Sequence, residues 1–168
     1  MGKVFFIADT HFGHDFILKE MKRPFDSLEH MDKAIIERWN KVVSPQDDIW
    51  ILGDYSLRDF FATRRITEAL NGSKTLLRGN HDTRDDDFYL KSGIKKIYDM
   101  PVLFSGKYLL SHEPVAICEN TGFVNLYGHV HTNAGYADFT KNSFCLSCER
   151  IDYTPVSFDD IIKKVESL

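Results

Sequence analysis

Apolar positions recur along this chain at two periods. Short unbroken runs rich in β-branched and aromatic residues read as buried strands over Lys3–Ala8, Asp48–Leu52 and Lys74–Arg78. Between them the period lengthens. Met31, Ile35, Trp39 and Val42 fall at helical spacing, predicting a helix over Glu29–Val43 that ends at Ser44-Pro45. A second helix is predicted over Asp59–Asn71, with Gly72 as its cap, and a third over Arg84–Lys91, with Gly93 beyond its last turn. Strand and helix alternate through this half, which argues for a parallel sheet with covered faces.

The second half is strand-rich. Ile97–Phe104, Lys107–Ser111, Phe123–Tyr127 and Phe144–Glu149 read as strands on short connections, and Ser157–Glu166 as a closing helix. The expected fold class is α/β: a four-layer αββα sandwich of two mixed sheets flanked by helices, with residues 1–168 forming one domain.

Five apolar runs end in the same way. The first leads to Asp9 and His11, the second to Gly53-Asp54, and the third to Gly79-Asn80-His81-Asp82. Tyr108-Leu109-Leu110 leads to Ser111-His112, and Leu126-Tyr127 to Gly128-His129-Val130-His131. Ligand sites in open α/β sheets form at the carboxyl ends of strands, so adjacent strand ends would bring these groups to one rim. Gly53, Gly79 and Gly128 each precede a candidate ligand and allow a sharp backbone exit. Carboxylate, amide and imidazole without thiolate describe a site for manganese, iron or zinc. Seven such ligands exceed the needs of one tetrahedral ion and suit two ions with a shared carboxylate, for which Asp54 stands in the middle of the set.

These blocks closely resemble, in content and order, the signature of the calcineurin-like metallophosphoesterases. The resemblance spans Lys3 to His131. It implies that Asp9, His11, Asp54 and His131 hold one divalent ion, and that Asp54, Asn80, His112 and His129 hold the other. It also implies that His81 is the non-ligand histidine over the substrate phosphate. The expected chemistry is hydrolysis of a phosphate ester by a hydroxide generated between the ions, with His81 assisting as acid or charge. Only about 30 residues separate His81 from His112, which leaves little room for a cap and favours an exposed phosphodiester over a monoester. A scaffold protein of the same fold is the non-enzyme alternative, and the intact ligand set counts against it.

Composition narrows the setting. The chain has 43% hydrophobic residues, 21 basic against 25 acidic side chains, and a formal charge of −4. That balance lacks a strong nucleic-acid footprint and suits a small phosphate-ester substrate. No apolar run approaches a membrane span, and no secretory signal is evident. The three cysteines then point to a reducing, cytoplasmic compartment. The native metal and the oligomeric state are left open.

Several residues carry two readings each. His14 either faces the phosphate or caps a helix beginning near Asp15. Arg23 either clamps a substrate phosphate or lies on the surface. Arg78 either faces substrate or is salt-bridged, and Asp82 either orients His81 or caps the next helix. Cys145 and Cys148 read as core cysteines.

Overall fold

The computed structural model describes residues 2–167. In chain order its elements are β1 (Val4–Ile7), α1 (Asp15–Glu20), α2 (Leu28–Val42), β2 (Asp48–Leu52), α3 (Phe60–Ala69), β3 (Ser73–Leu77), α4 (Asp86–Lys91) and β4 (Lys96–Tyr98). The second half holds β5 (Val102–Phe104), β6 (Tyr108–Leu110), β7 (Val124–Tyr127), β8 (Phe139–Thr140), β9 (Ser143–Cys145), β10 (Val156–Ser157) and α5 (Phe158–Glu166). Two five-stranded sheets result, in the orders β10-β1-β2-β3-β4 and β5-β6-β7-β9-β8. Each is mixed: β1 to β4 run parallel with β10 antiparallel, and β6, β7 and β9 run parallel with β5 and β8 antiparallel. The α/β class with two mixed sheets and flanking helices is as the pattern predicts.

Two apolar layers hold it together. Phe5, Ile7, Ile49, Ile51 and Leu76 on one face of the first sheet pack against Met31, Ile35 and Trp39 of α2 and against Leu70 and Tyr89. The alternate residues Phe6, Leu52 and Leu77 face Tyr108, Leu110, Val124, Leu126 and Phe144 of the second sheet, with Ile161 and Val165 of α5. This is why the parallel strands read as continuous apolar runs: both faces are buried.

The boundaries differ from the pattern in four places. The stretch Ile97–Phe104 is not one strand. It divides between the sheets, with β4 pairing β3 and β5 pairing β6. Pro101 stands at the break and has no N–H to offer a ladder. The strand expected to run to Glu149 stops at Cys145 and passes into a 3₁₀ turn over Cys148–Arg150. The two-residue strands β8 and β10 are too short to leave a period in the sequence. Gly72 has a φ of +85° but follows the extended Leu70, so it turns the chain into β3 rather than capping α3.

Candidate metal centre

The carboxyl ends of β1, β2, β3, β6 and β7 converge where the two sheets meet. Ala8 joins them there: its N–H donates to the Leu146 carbonyl at 2.9 Å, and its carbonyl accepts from the Cys148 N–H at 3.1 Å. The chain leaves these strand ends under strain. Of the nine non-glycine residues with positive φ among the described residues, five are the expected ligands Asp9 (58°), His11 (49°), Asp54 (54°), His129 (68°) and His131 (44°). L-residues seldom adopt this region, and such strain concentrates at functional sites. Among the glycines, Gly53 also has positive φ, at +89°. Gly79 and Gly128 do not. They are glycines because a Cβ would overlap Asp54 Oδ1 at one and crowd Asp9 Oδ2 at the other.

All seven expected ligands come together, in two overlapping groups. In the first, donor atoms of Asp9, His11 and His131 lie within 4.8 Å of one another. In the second, Asn80 Oδ1 lies 3.0 Å from His112 Nε2 and 3.1 Å from His129 Nδ1, and those two nitrogens are 3.1 Å apart. Asp54 stands between the groups. Its Oδ2 is 3.4 Å from His11 Nε2 on one side and 3.4 Å from His112 Nε2 on the other. Donors held about 2.1 Å from one small divalent cation lie about 3.0–3.4 Å from each other, so these spacings fit shared ions. Asp9 also lies near both, with its donor atoms close to those of Asp54 and His112.

The orphaned atoms point the same way. Asp9 Oδ1 and His11 Nε2 are fully buried and have no hydrogen-bond partner. Buried polar atoms without partners are rare, and a cation between them would satisfy both. Among the described residues no thiol joins either donor group, so the centre is one of oxygen and imidazole donors.

The ligand atoms are held from behind. His112 Nδ1 donates to the Leu52 carbonyl at 2.9 Å, which leaves Nε2 free to face the site. His131 Nδ1 lies 3.1 Å and 3.2 Å from the two oxygens of Glu149, which fixes its Nε2 as the lone-pair nitrogen. Asp9 Oδ2 accepts from the His129 N–H at 2.8 Å, and Asp54 Oδ1 from the His81 N–H at 2.8 Å.

Charge is tuned to match. Burial would raise the Asp54 carboxyl, but the hydrogen bond and charge of His112, with His11 beside it, hold it down to about 2. Burial would lower His112, but Asp54 and Asp9 lift it to about 9. A proton on His112 and a divalent cation therefore compete for the same carboxylates. His11 is the reverse case: its burial outweighs Asp54 and lowers it to about 2, so it stays a neutral donor.

Other sequence-predicted residues fall into place or are corrected. The His81 ring is exposed at the rim, with centroids 5.3 Å from His11 and 5.2 Å from His14. His14 makes no side-chain cap to α1; its Nδ1 lies 3.0 Å from His11 Nδ1, at the back of a ligand. Arg23 does not reach for a phosphate. It is 4% exposed, and its guanidinium donates to Glu149 (2.8 Å) and to the carbonyls of Asp9 (2.7 Å) and Thr10 (3.0 Å). Arg78 is salt-bridged to Asp86 and Asp99. Asp82 neither orients His81 nor caps α4, whose N-cap is Asp85; it accepts the N–H groups of Asp54, Tyr55 and Gly79 and so clamps two ligand turns together. Cys145 and Cys148 are buried and unpaired.

Glu149 escaped the sequence pattern. It follows β9, a parallel strand like the five others, but the segment reads as strand through that position. Glu149→Gln is expected to keep the fold and to weaken divalent-ion affinity about 10–100-fold, as loss of a carboxylate behind a metal-ligating histidine does. Isothermal titration with Mn²⁺ measures it, and unchanged affinity at both sites would remove Glu149 from the centre.

Comparison with known proteins gives the family of the chain. An uncharacterized protein of Methanocaldococcus jannaschii, MJ1445, is 34% identical over 175 residues, covering 99% of this chain and 93% of its own. The gene 66 protein of Mycobacterium phage L5 is 34% identical over 88 residues, 49% of this chain and 41% of the phage protein. Among solved structures, the protein of unknown function AQ665 from Aquifex aeolicus has a TM-score of 0.76 and 30% identity, over 98% of this chain and 100% of its own. The nuclease MPE of Pseudomonas putida shares the fold at a TM-score of 0.54 and 22% identity, over 76% of this chain and 61% of its own. A sequence profile of the calcineurin-like phosphoesterases matches residues 2–162. On that match the chain belongs to the calcineurin-like phosphoesterase family, metal-dependent hydrolases of phosphate esters with a dinuclear divalent centre.

Proposed function

We propose that this chain is a phosphodiesterase, acting on a small or exposed phosphodiester. The observation that carries this reading is the state of the arginines. A monoester presents a phosphate dianion, whereas a diester is a monoanion. Arg23 is turned inward onto Glu149 and two carbonyls, and Arg78 is occupied by Asp86 and Asp99. Neither guanidinium is left to match the second charge of a monoester. The rim is also open, with Asn80 and His81 exposed while Asp9, His11 and Asp54 are buried beneath them. A diester needs that room, because both its ester arms must leave the phosphorus.

The residues divide the work. Asp9, His11, Asp54 and His131 hold one ion; Asp54, Asn80, His112 and His129 hold the other. When bound, the two ions supply positive charge that polarises the phosphoryl group and acidifies water at the site. Manganese, iron and zinc all accept this donor set. His81, exposed over the donors, is placed to hydrogen-bond a phosphate oxygen or to give a proton to the leaving oxygen. His14 sits behind His11 and keeps its ring in place. No helix among the described residues is long and apolar enough to cross a membrane. The three unpaired cysteines suit a reducing, cytoplasmic setting.

The test is a comparison of bis(p-nitrophenyl) phosphate with p-nitrophenyl phosphate on the manganese-loaded protein. The diester is expected to show at least about tenfold higher kcat/KM. The reverse preference makes the chain a phosphomonoesterase, and turnover of neither removes the support for a preference between the two.

A further inference from the structure

A cavity beside the metal ligands has no part in the chemistry above. A space of about 420 Å³ borders the donors Asn80 and His112, and its wall continues through Glu113, Pro114 and Val115. Pro114 and Val115 also line a larger cavity of about 870 Å³ on the second sheet. One short segment leaving the His112 ligand thus forms a wall common to both. Three extended residues span at most about 10 Å, the scale of one nucleoside.

That wall is fixed from beneath. Asn125 is fully buried within β7, where the pattern calls for an apolar residue. Its Oδ1 accepts the Val115 N–H at 2.7 Å, and its Nδ2 donates to the Leu109 carbonyl and to Ser111 Oγ, both at 2.8 Å. Ser111 Oγ in turn donates to the Glu113 carbonyl at 2.6 Å. A buried amide is tolerated only when fully paired, and here its bonds are spent on holding the cavity wall.

The lining has a distinct chemistry. In a chain of formal charge −4, Lys141 is the charged group among the described side chains that line the larger cavity. It therefore suits a neutral or anionic guest. Tyr127 and Tyr136 stand with ring centroids 6.4 Å apart, and Tyr136 is 40% exposed, offering a face for stacking. Asn142 spends its Nδ2 on the Phe123 carbonyl, which leaves its Oδ1 as an acceptor. Asn120 adds a second amide, with donors and an acceptor together. The volume lies within the range of about 300–1,000 Å³ usual for small-molecule sites.

We infer that this cavity binds a nucleobase, and that the diesters hydrolysed here are nucleotide diesters whose phosphate lies at the donor rim. An aromatic face, paired amide groups and one cation match a planar heterocycle with a hydrogen-bonding edge. The inference rests on the diesterase reading for its substrate, but base binding can be measured apart from turnover.

Two measurements separate them. In the first, the manganese-loaded protein is titrated calorimetrically with adenosine 5′-monophosphate and with ribose 5-phosphate. The nucleotide is expected to bind at least about tenfold more tightly. The double variant Tyr136→Ala/Asn142→Ala is expected to lose that preference, and Phe61→Ala, an exposed ring on α3 outside the cavity, to keep it. Equal affinities in the unmodified protein overturn the inference, as does a preference that survives the double variant. In the second, thymidine 5′-(p-nitrophenyl phosphate) is compared with methyl p-nitrophenyl phosphate, with about 10²-fold higher kcat/KM expected for the nucleotide. Equal turnover overturns the inference and leaves the diesterase reading standing. If both esters are inert, the diesterase reading falls, and the nucleotide-diester assignment falls with it.

Discussion

Asp54→Asn is expected to reduce diester turnover at least about 10³-fold, because it removes the carboxylate whose Oδ2 lies 3.4 Å from both His11 Nε2 and His112 Nε2. Asparagine keeps the shape and can still accept the His81 N–H through its amide oxygen. What disappears is the negative charge that faces His11 and His112 at 3.4 Å each. An amide is also a far poorer bridge between two cations than a carboxylate. The change should therefore register twice: in the rate on bis(p-nitrophenyl) phosphate, and in the number of ions retained after gel filtration. His112 provides a third reading. Its pKa is lifted to about 9, by Asp54 and Asp9 against the effect of burial. In Asp54→Asn that pKa should fall, which NMR titration of the imidazole can follow in the ion-free protein. Turnover within about tenfold of the unmodified enzyme, with both ions retained, would show that Asp54 does not join the two sites.

His81→Ala is expected to lower kcat by about 10²–10⁴-fold with both ions still bound. The residue contributes to the site in two separable ways. Its main-chain N–H holds Asp54 Oδ1, and alanine preserves that bond. Its ring, exposed at the rim beside His11 and His14, is what alanine removes. Because the ring is exposed, its loss opens no cavity in the core, and the fold should keep its stability. The split between rate and ion content identifies the role. A fall in both would make His81 a ligand, and an unchanged rate would leave the ring without a part in catalysis.

Much of this arrangement was legible because each candidate ligand abuts an apolar run. Asp9, Asp54 and Asn80 follow strands buried on both faces, and His112 and His129 follow strands with one face in the core; such apolar runs announce themselves without any tertiary information. The strand ends could then be placed together from topology alone. What was not legible depends on contacts between distant parts of the chain. Arg23 carries nothing in its neighbourhood to say that its guanidinium turns inward onto Glu149, 126 residues away. Glu149 was hidden because β9 is only three residues long, so the apolar stretch around Cys145 and Leu146 read as strand past its true end. Ile97–Phe104 is interrupted by Asp99 and Pro101, yet only the sheet pairing reveals that its two ends belong to different sheets. Asp82 had two local roles to choose from and takes neither, because its partners include the backbone of Asp54 and Tyr55 in the turn after β2. The left-handed backbone at Asp9, His11, Asp54, His129 and His131 is likewise invisible in residue type, since glycine did not mark those positions.

The central claim is that seven side chains form two cation sites sharing Asp54. Its most direct test is elemental analysis of the purified protein after removal of its metals, reconstitution with manganese or zinc, and desalting. Two ions per chain are expected, falling to one or fewer in Asp54→Asn. One ion or none in the reconstituted wild-type protein would contradict it.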